Sequence, residues 1–211
     1  MIIAVDGPAA SGKGTLARRL AQHFGFAHLD TGLLYRVTAL NVLEAKTNPA
    51  DPVAAEAAAK TLTPADLADP RLKEERVAEA ASQVAAIPGV RAALLAFQRN
   101  FARNPPSPAK GAVLDGRDIG TVVCPEAAVK LFVTASPEAR AARRFKELQA
   151  DGDAAIYERV LQDMKQRDAR DRQRQAAPLA RAADAFALNT TALDADAAFR
   201  AALDFIGSKL G

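Results

Sequence analysis

The chain holds a single cysteine, Cys124, and no tryptophan. One thiol can neither close an internal disulfide nor build a cysteine zinc site, which excludes disulfide-stapled scaffolds and zinc-finger architectures and suits a reducing compartment. Aromatic residues amount to 5%, too few to line a surface on which successive nucleic-acid bases stack. No apolar run approaches the roughly 18 residues of a membrane span. The opening Met1-Ile2-Ile3-Ala4-Val5-Asp6 is too short and uncharged for a signal peptide. The expectation is a cytoplasmic protein with no membrane partner. The two histidines, His23 and His28, belong to no cluster of His, Cys and carboxylates and read as structural or surface residues.

What is present is 211 residues, enough for one domain with a sizeable core and a mobile appendage. Alanine supplies much of the 49% hydrophobic content, which favours helix. The net charge of +3 suits an acidic ligand or nucleic acid without choosing between them.

Short apolar runs alternate with helical patterns. Strands are expected at Ile2 to Val5, Phe26 to Leu29, Ala112 to Leu114, Val129 to Val133 and Ala185 to Leu188. Helices are expected from the turn at Gly7 to Gly14 through Phe24, with Gly25 as its C-terminal cap, then at Thr31 to Leu43, Glu74 to Ala86 and Pro88 to Arg103. Ser136 and Pro137 form an N-cap and first-turn pair for a helix through Leu148. Asp153 caps a charged helix through about Arg174, and a last helix spans about Asp194 to Lys209. Residues 49 to 72, with four prolines, read as short helices and turns without a strand. Strands alternating with helices give an α/β fold with a parallel sheet covered on both faces.

The chemistry-bearing motif is Gly7-Pro8-Ala9-Ala10-Ser11-Gly12-Lys13-Gly14-Thr15. A phosphate-binding loop needs glycines where a Cβ would block the anion, backbone N–H groups converging on it, a helix N-terminus aimed at it and a lysine to reach the outer phosphates. All are here between a strand and a helix, the frame that makes the pattern a P-loop and the fold a P-loop NTPase with a five-stranded sheet. Gly14 stands where the commoner spelling has the hydroxyl, which follows at Thr15.

Further segments carry a resemblance. Leu29-Asp30-Thr31-Gly32-Leu33-Leu34-Tyr35-Arg36, Ala81-Ser82-Gln83-Val84-Ala85, Asp115-Gly116-Arg117-Asp118-Ile119-Gly120-Thr121 and Arg167-Asp168-Ala169-Arg170-Asp171-Arg172 follow the loop in the order found in bacterial cytidylate kinases, and with it they span residues 1 to 191. The chain resembles that family. The resemblance implies ATP and CMP or dCMP as partners, magnesium as cofactor, a single kinase domain acting as a monomer, a monophosphate-binding region at about 31–103 and an arginine-rich lid at about 150–180. It implies that Gly7 to Thr15 and Arg143 hold ATP, that Arg36 and Arg117 hold the acceptor phosphate, and that Ser82, Arg91 and Asp118 face the cytosine. It adds Thr31, Asp115, Arg167, Asp171 and Arg174 to the acceptor side, and makes Lys13, Arg117, Arg167 and Arg174 the catalytic set. Larger members carry a small inserted sheet for which residues 44 to 76 are too short and too helical.

Elementary chemistry agrees: guanidinium forks grip two phosphate oxygens, and a carboxylate accepts from the cytosine amine. Other readings stay open at single residues. Arg36 can pair with Glu44, Asp118 can cap a turn, Arg91 can sit on a surface helix and Thr31 can be an N-cap. Arg167, Arg170 and Arg174 fall on one helical face, Asp168 and Arg172 can pair on another, and Arg140, Arg143 and Arg144 are candidates for ATP phosphates. Magnesium is expected mainly on phosphate oxygens and water, with Thr15 or Asp115 touching its shell. Rival functions are another P-loop kinase, of shikimate or adenylate type, or a basic P-loop protein that binds nucleic acid.

Overall fold

The structure is a computed structural model that describes residues 1–150, 152 and 154–210. Its centre is a five-stranded, all-parallel sheet. In chain order the strands are β1 (Ile2–Asp6), β2 (Ala27–Asp30), β3 (Ala112–Gly116), β4 (Val129–Thr134) and β5 (Phe186–Asn189), in spatial order β2-β3-β1-β4-β5. β1 is the middle strand. The chain then reverses its direction of travel across the sheet, and open α/β sheets place their ligands at that switch point, beyond the strands' C-terminal ends.

Period-two alternation divides the core. Ile3 and Val5 of β1 face helices α1 (Lys13–Phe24) and α8 (Ala195–Leu210), packing with Leu16, Leu20, Ala202 and Ile206. Ala4 of β1 and Leu114 of β3 face the other way, onto Ala102 of α5 (Pro88–Arg103) and onto Ile119 and Val123. α1 ends where Gly25 adopts a left-handed φ of 64°, a conformation that costs glycine no steric strain.

The helices between β2 and β3 form their own core. α2 (Thr31–Glu44) packs against α3 (Pro52–Lys60), α4 (Glu75–Val84) and α5 through Leu34, Val37, Leu40, Leu72, Val77, Val90 and Leu94. Residues 44 to 76 carry α3 and two 3-10 turns, Pro64–Ala68 and Pro70–Lys73, and no strand. A smaller cluster joins α6 (Pro137–Ala150) to α7 (Tyr157–Gln173) through Ala141, Leu148, Val160 and Met164, with Ala9 and Ala10 of the loop against it. No single helix among the described residues is long and apolar enough to cross a membrane.

Several local expectations change. Asp30, not Thr31, caps α2, accepting from the Gly32 N–H at 2.9 Å, while the Thr31 hydroxyl turns to the Asp115 carbonyl. α7 starts at Tyr157 with Ile156 before it, and Asp153, the expected cap, lies outside the described residues. Arg174 follows the end of α7 with extended backbone, so it does not share a helical face with Arg167 and Arg170.

Leu114 is fully buried mid-sheet and Val53 is 80% exposed. Leu114→Ala is expected to lower unfolding free energy by about 2–5 kcal/mol, and Val53→Ala to stay within about 0.5 kcal/mol. Urea denaturation measures both, and equal losses would place the core elsewhere.

Candidate active site

The loop between β1 and α1 is shaped by two glycines. Gly7 has a φ of 153°, and a Cβ there would lie 2.0 Å from the Val133 carbonyl oxygen, so only glycine lets the loop close on β4. Gly12 has a φ of 87°, immediately before α1. The turn aims the N-terminus of α1 and the Lys13 side chain into the cleft. The Lys13 ammonium, half-buried, donates to the Pro8 carbonyl at 3.4 Å. Burial, and then the Arg117 charge, lower its pKa to about 8. Among the described residues Lys13 forms no salt bridge, and Asp115 and Asp30 are the carboxylates whose charges favour its protonated form.

Register sets three carboxylates along the C-terminal edge of the sheet, because Asp115 pairs with Val5 on one side and Asp30 on the other, while Asp6 pairs with Gly116. Burial, and then Asp115 beside it, raise the Asp30 carboxyl. Asp115 is 2% exposed and its Oδ1 lies 2.7 Å from His28 Nε2. The Thr31 hydroxyl donates to the Asp115 carbonyl at 2.8 Å. His28 is therefore no bystander: β2 carries it to the edge of the site, a placement that strand pairing over 87 residues creates and local pattern does not reveal. Asp6 accepts from the backbone N–H groups of Ile119 and Gly120 at 2.8 and 2.7 Å. Burial nonetheless pushes its pKa up to about 6.

On one side of the loop, Lys13, Arg36, Ser82, Arg117, Arg167 and Arg170 line a cavity of about 310 Å³. Arg36 donates to the Leu72 carbonyl at 2.5 Å and leaves Glu44 to Arg71. Arg170 donates to the Ser82 hydroxyl at 2.9 Å, so α7 reaches across to α4. Burial and neighbouring Arg117 lower Arg167 to about 10. Its Nε is buried without a hydrogen-bond partner.

The remaining predicted acceptor residues form an ion network beside that cavity. Arg91, buried and not on a surface, donates to Asp118 Oδ2 at 2.5 Å. Arg117 donates to Asp171 at 2.9 Å. Arg174 lies 3.8 Å from Asp118 and 3.9 Å from Asp171, and donates through Nε to the Ala177 carbonyl at 2.6 Å. Burial alone would raise Asp171, but Arg117 and Arg167 bring it below the usual carboxylate range. Asp118 does not cap the turn with its side chain; its Oδ2 accepts from Arg91, and Arg174 lies 3.8 Å from its Oδ1.

Beyond the loop's other side lies a second cavity of about 280 Å³, bounded by Gly12, Thr15, Leu16, Val133, Arg143 and Thr190. Both cavities touch Ala10 and Glu147, so they adjoin at the loop. Arg143 donates to the Thr190 hydroxyl and carbonyl at 3.0 and 2.5 Å. Arg140 does not face this space. It is 2% exposed and binds Asp168 with both oxygens at 3.1 and 2.6 Å, the Ala135 carbonyl at 3.0 Å and the Ala9 carbonyl at 3.3 Å. Asp168 thus belongs to Arg140 and not to Arg172. A planar guanidinium with five donors can tie three segments at once, which no i,i+4 surface pair rivals.

Among the described residues, no group of three His, Cys, Asp or Glu side chains could hold a metal ion. The exposed Thr15 and the free Oδ2 of Asp115, directed toward Gly14, are the oxygen donors beside Lys13. Two such donors fit magnesium carried in on phosphates and water, and not a protein-built cage.

Comparison with known proteins places this geometry. The family model described as cytidylate kinase matches residues 3–207. A cytidylate kinase of Paramagnetospirillum magneticum is 64% identical over 208 residues, covering 99% of this chain and 98% of that one. Another from Rhodospirillum rubrum is 58% identical over 209 residues, again covering 99% and 98%. Among solved structures, an uncharacterized protein from Eubacterium ventriosum superposes with a TM-score of 0.55 at 18% identity, covering 99% of this chain and 98% of that one, which speaks for the fold alone. A phosphate loop, an arginine-lined cavity and kinship along nearly the whole length agree, and the chain belongs to the cytidylate kinase family.

Proposed function

We propose that this enzyme transfers the γ-phosphoryl group of ATP to CMP and dCMP and releases ADP. The observation that carries the reading is the pair of adjoining cavities, one behind the phosphate loop and one lined by Lys13, Arg36, Arg117 and Arg167. Two nucleotides laid in them meet phosphate to phosphate across Lys13.

The chemistry asks for position and countercharge. An oxygen of the acceptor phosphate forms the new bond to the γ-phosphorus as the bond from that phosphorus to the bridging oxygen of ADP breaks, so no protein nucleophile is needed. Gly7 to Thr15 offer backbone donors and Lys13 to ATP, with Arg143 at the far side of its cavity. Arg36 and Arg117 hold the acceptor phosphate by their forks. Lys13, Arg117, Arg167 and Arg174 offset charge on the oxygens in transit. Asp118, its Oδ2 committed to Arg91, keeps Oδ1 for the cytosine amine, with Ser82 beside it once Arg170 turns to phosphate. Thr31 and Asp115 shape the floor, and Asp171 orients Arg117. Thr15 and Asp115 would hold magnesium together with nucleotide phosphates and water, and the ion would supply countercharge. Closure of α6 and α7 over the cavity excludes water, which limits wasteful hydrolysis. The whole chain is read as one kinase domain, with 31–103 serving the acceptor and about 150–180 the lid. It is read as a monomer of the cytoplasm, where Cys124, pushed up to about 11 by burial, stays a thiol.

An ADP-release assay with ATP–Mg²⁺ and CMP, dCMP, UMP, AMP or GMP is expected to show turnover chiefly with CMP and dCMP. Preference for AMP or GMP would discard the acceptor assignment. Lys13→Ala is expected to lower kcat at least about a hundredfold with an unchanged melting temperature; full activity would remove the loop from catalysis. Asp118→Asn is expected to raise the KM for CMP about tenfold or more, the worth of a charged hydrogen bond. An equal rise in the KM for ATP would make Asp118 a structural residue.

A further inference from the structure

Directly after Arg117 and Asp118 the chain forms a single π-helical turn, Ile119–Val123. The Asp118 carbonyl accepts from Val122 N–H at 2.9 Å and, π-fashion, from Val123 N–H at 3.1 Å, and the Ile119 carbonyl accepts from Cys124 N–H at 2.7 Å. Such wide turns are rare and gather at functional sites. Like any helical turn, this one leaves N–H groups unpaired at its start and carbonyls at its end.

Two side chains from distant elements supply those missing partners. Asp6, at the end of β1, accepts from the Ile119 and Gly120 N–H groups with one carboxylate oxygen each, at 2.8 and 2.7 Å. Arg99, on α5, donates through Nε to the Val123 carbonyl at 3.1 Å and through a terminal nitrogen to the Val122 carbonyl at 2.9 Å. The anion stands at the positive end of the turn and the cation at the negative end, each pairing in two-pronged fashion. Neither side chain lines either cavity. A Cβ on Gly120 would come within 3.2 Å of the Lys130 side chain and 3.4 Å of Asp6 Oδ2, so the turn also sits close on β4.

We propose that Asp6 and Arg99 are positioning residues that clamp this turn from its two ends and thereby fix Arg117 and Asp118 toward the acceptor nucleotide. The proposal rests on the acceptor role given to Arg117 and Asp118 above. A one-sided clamp would let the turn relax toward ordinary α geometry, shifting Asp118 away from Arg91 and the base.

The test combines steady-state kinetics with hydrogen exchange of the backbone amides at 119–124. Arg99→Ala is expected to speed that exchange and raise the KM for CMP about tenfold, two charge-assisted bonds being lost, with the KM for ATP unchanged. Arg99→Lys, which keeps charge and one donor, is expected to fall between, and it guards against a variant that merely misfolds. Asp6→Asn, which replaces one acceptor oxygen by an amide donor, is expected to act in the same direction. Arg103→Ala, on the same helix but paired with Glu126 at the surface, serves as the unaffected control. Faster exchange with an unaltered KM for CMP overturns the positioning role, as does unchanged exchange, or equal loss toward both nucleotides. Asp118→Asn, which leaves the clamp intact, separates the two readings. A normal KM for CMP there removes the acceptor role of Asp118 and the clamp's purpose with it. A raised KM there, alongside a normal one in Arg99→Ala, overturns the clamp alone.

Discussion

Cations that must grip phosphate have to be held close together before any phosphate arrives. At 4 Å and an effective dielectric of 20, two like charges cost about 4 kcal/mol, and the cleft gathers Lys13, Arg36, Arg117 and Arg167 around one cavity with Arg91 and Arg174 beside it. The structure accommodates this repulsion in two ways. Beside the cavity, Asp118 and Asp171 are inserted between arginines, so Arg91, Arg117 and Arg174 share two carboxylates. Facing the cavity, burial and then the neighbouring Arg117 charge lower Lys13 to about 8 and Arg167 to about 10.

The same tension explains the architecture around the cleft. Like-charged helices do not hold together by themselves, and α7 has few apolar side chains with which to pack. It is secured by the buried Arg140–Asp168 pair, whose guanidinium also reaches the Ala9 carbonyl of the phosphate loop. Removing one member of such a pair leaves an uncompensated buried charge, so its geometry is strongly specified. Arg167 sits one residue before Asp168, which ties this cavity-lining cation to the loop between β1 and α1. On the far side, Arg170 and Arg144 reach Ser82 and Glu75 of α4, so the lid spans the cavity from one wall to the other.

Much of this was legible from local chemistry. The spacing of Gly7, Gly12 and Lys13 between a strand and a helix specifies an anion cradle, because backbone conformation there depends on near neighbours. Alternation of Ile3, Ala4 and Val5 specifies a two-sided strand for the same reason. The arginine-rich segments announced a phosphate site by composition. The reading failed where a partner lies far along the chain. Local pattern gives His28 no partner, and strand order sets it against Asp115. Arg140 was a candidate for ATP until Asp168 claimed it across two helices, and Arg91 proved buried because α5 turns it inward onto Asp118.

By itself the sequence determined the α/β alternation, the phosphate loop and the stock of guanidinium groups, since propensity, periodicity and turn chemistry act over a few residues. Only the tertiary structure decided which arginines face the cavity and which share carboxylates beside it, why Asp6 and Arg99 meet one short turn from opposite ends, and how Lys13 comes to lie without a salt bridge among the described residues. Those outcomes depend on distances of a few ångströms between residues up to 131 positions apart. Electrostatics at such range is set by packing, which no local pattern encodes.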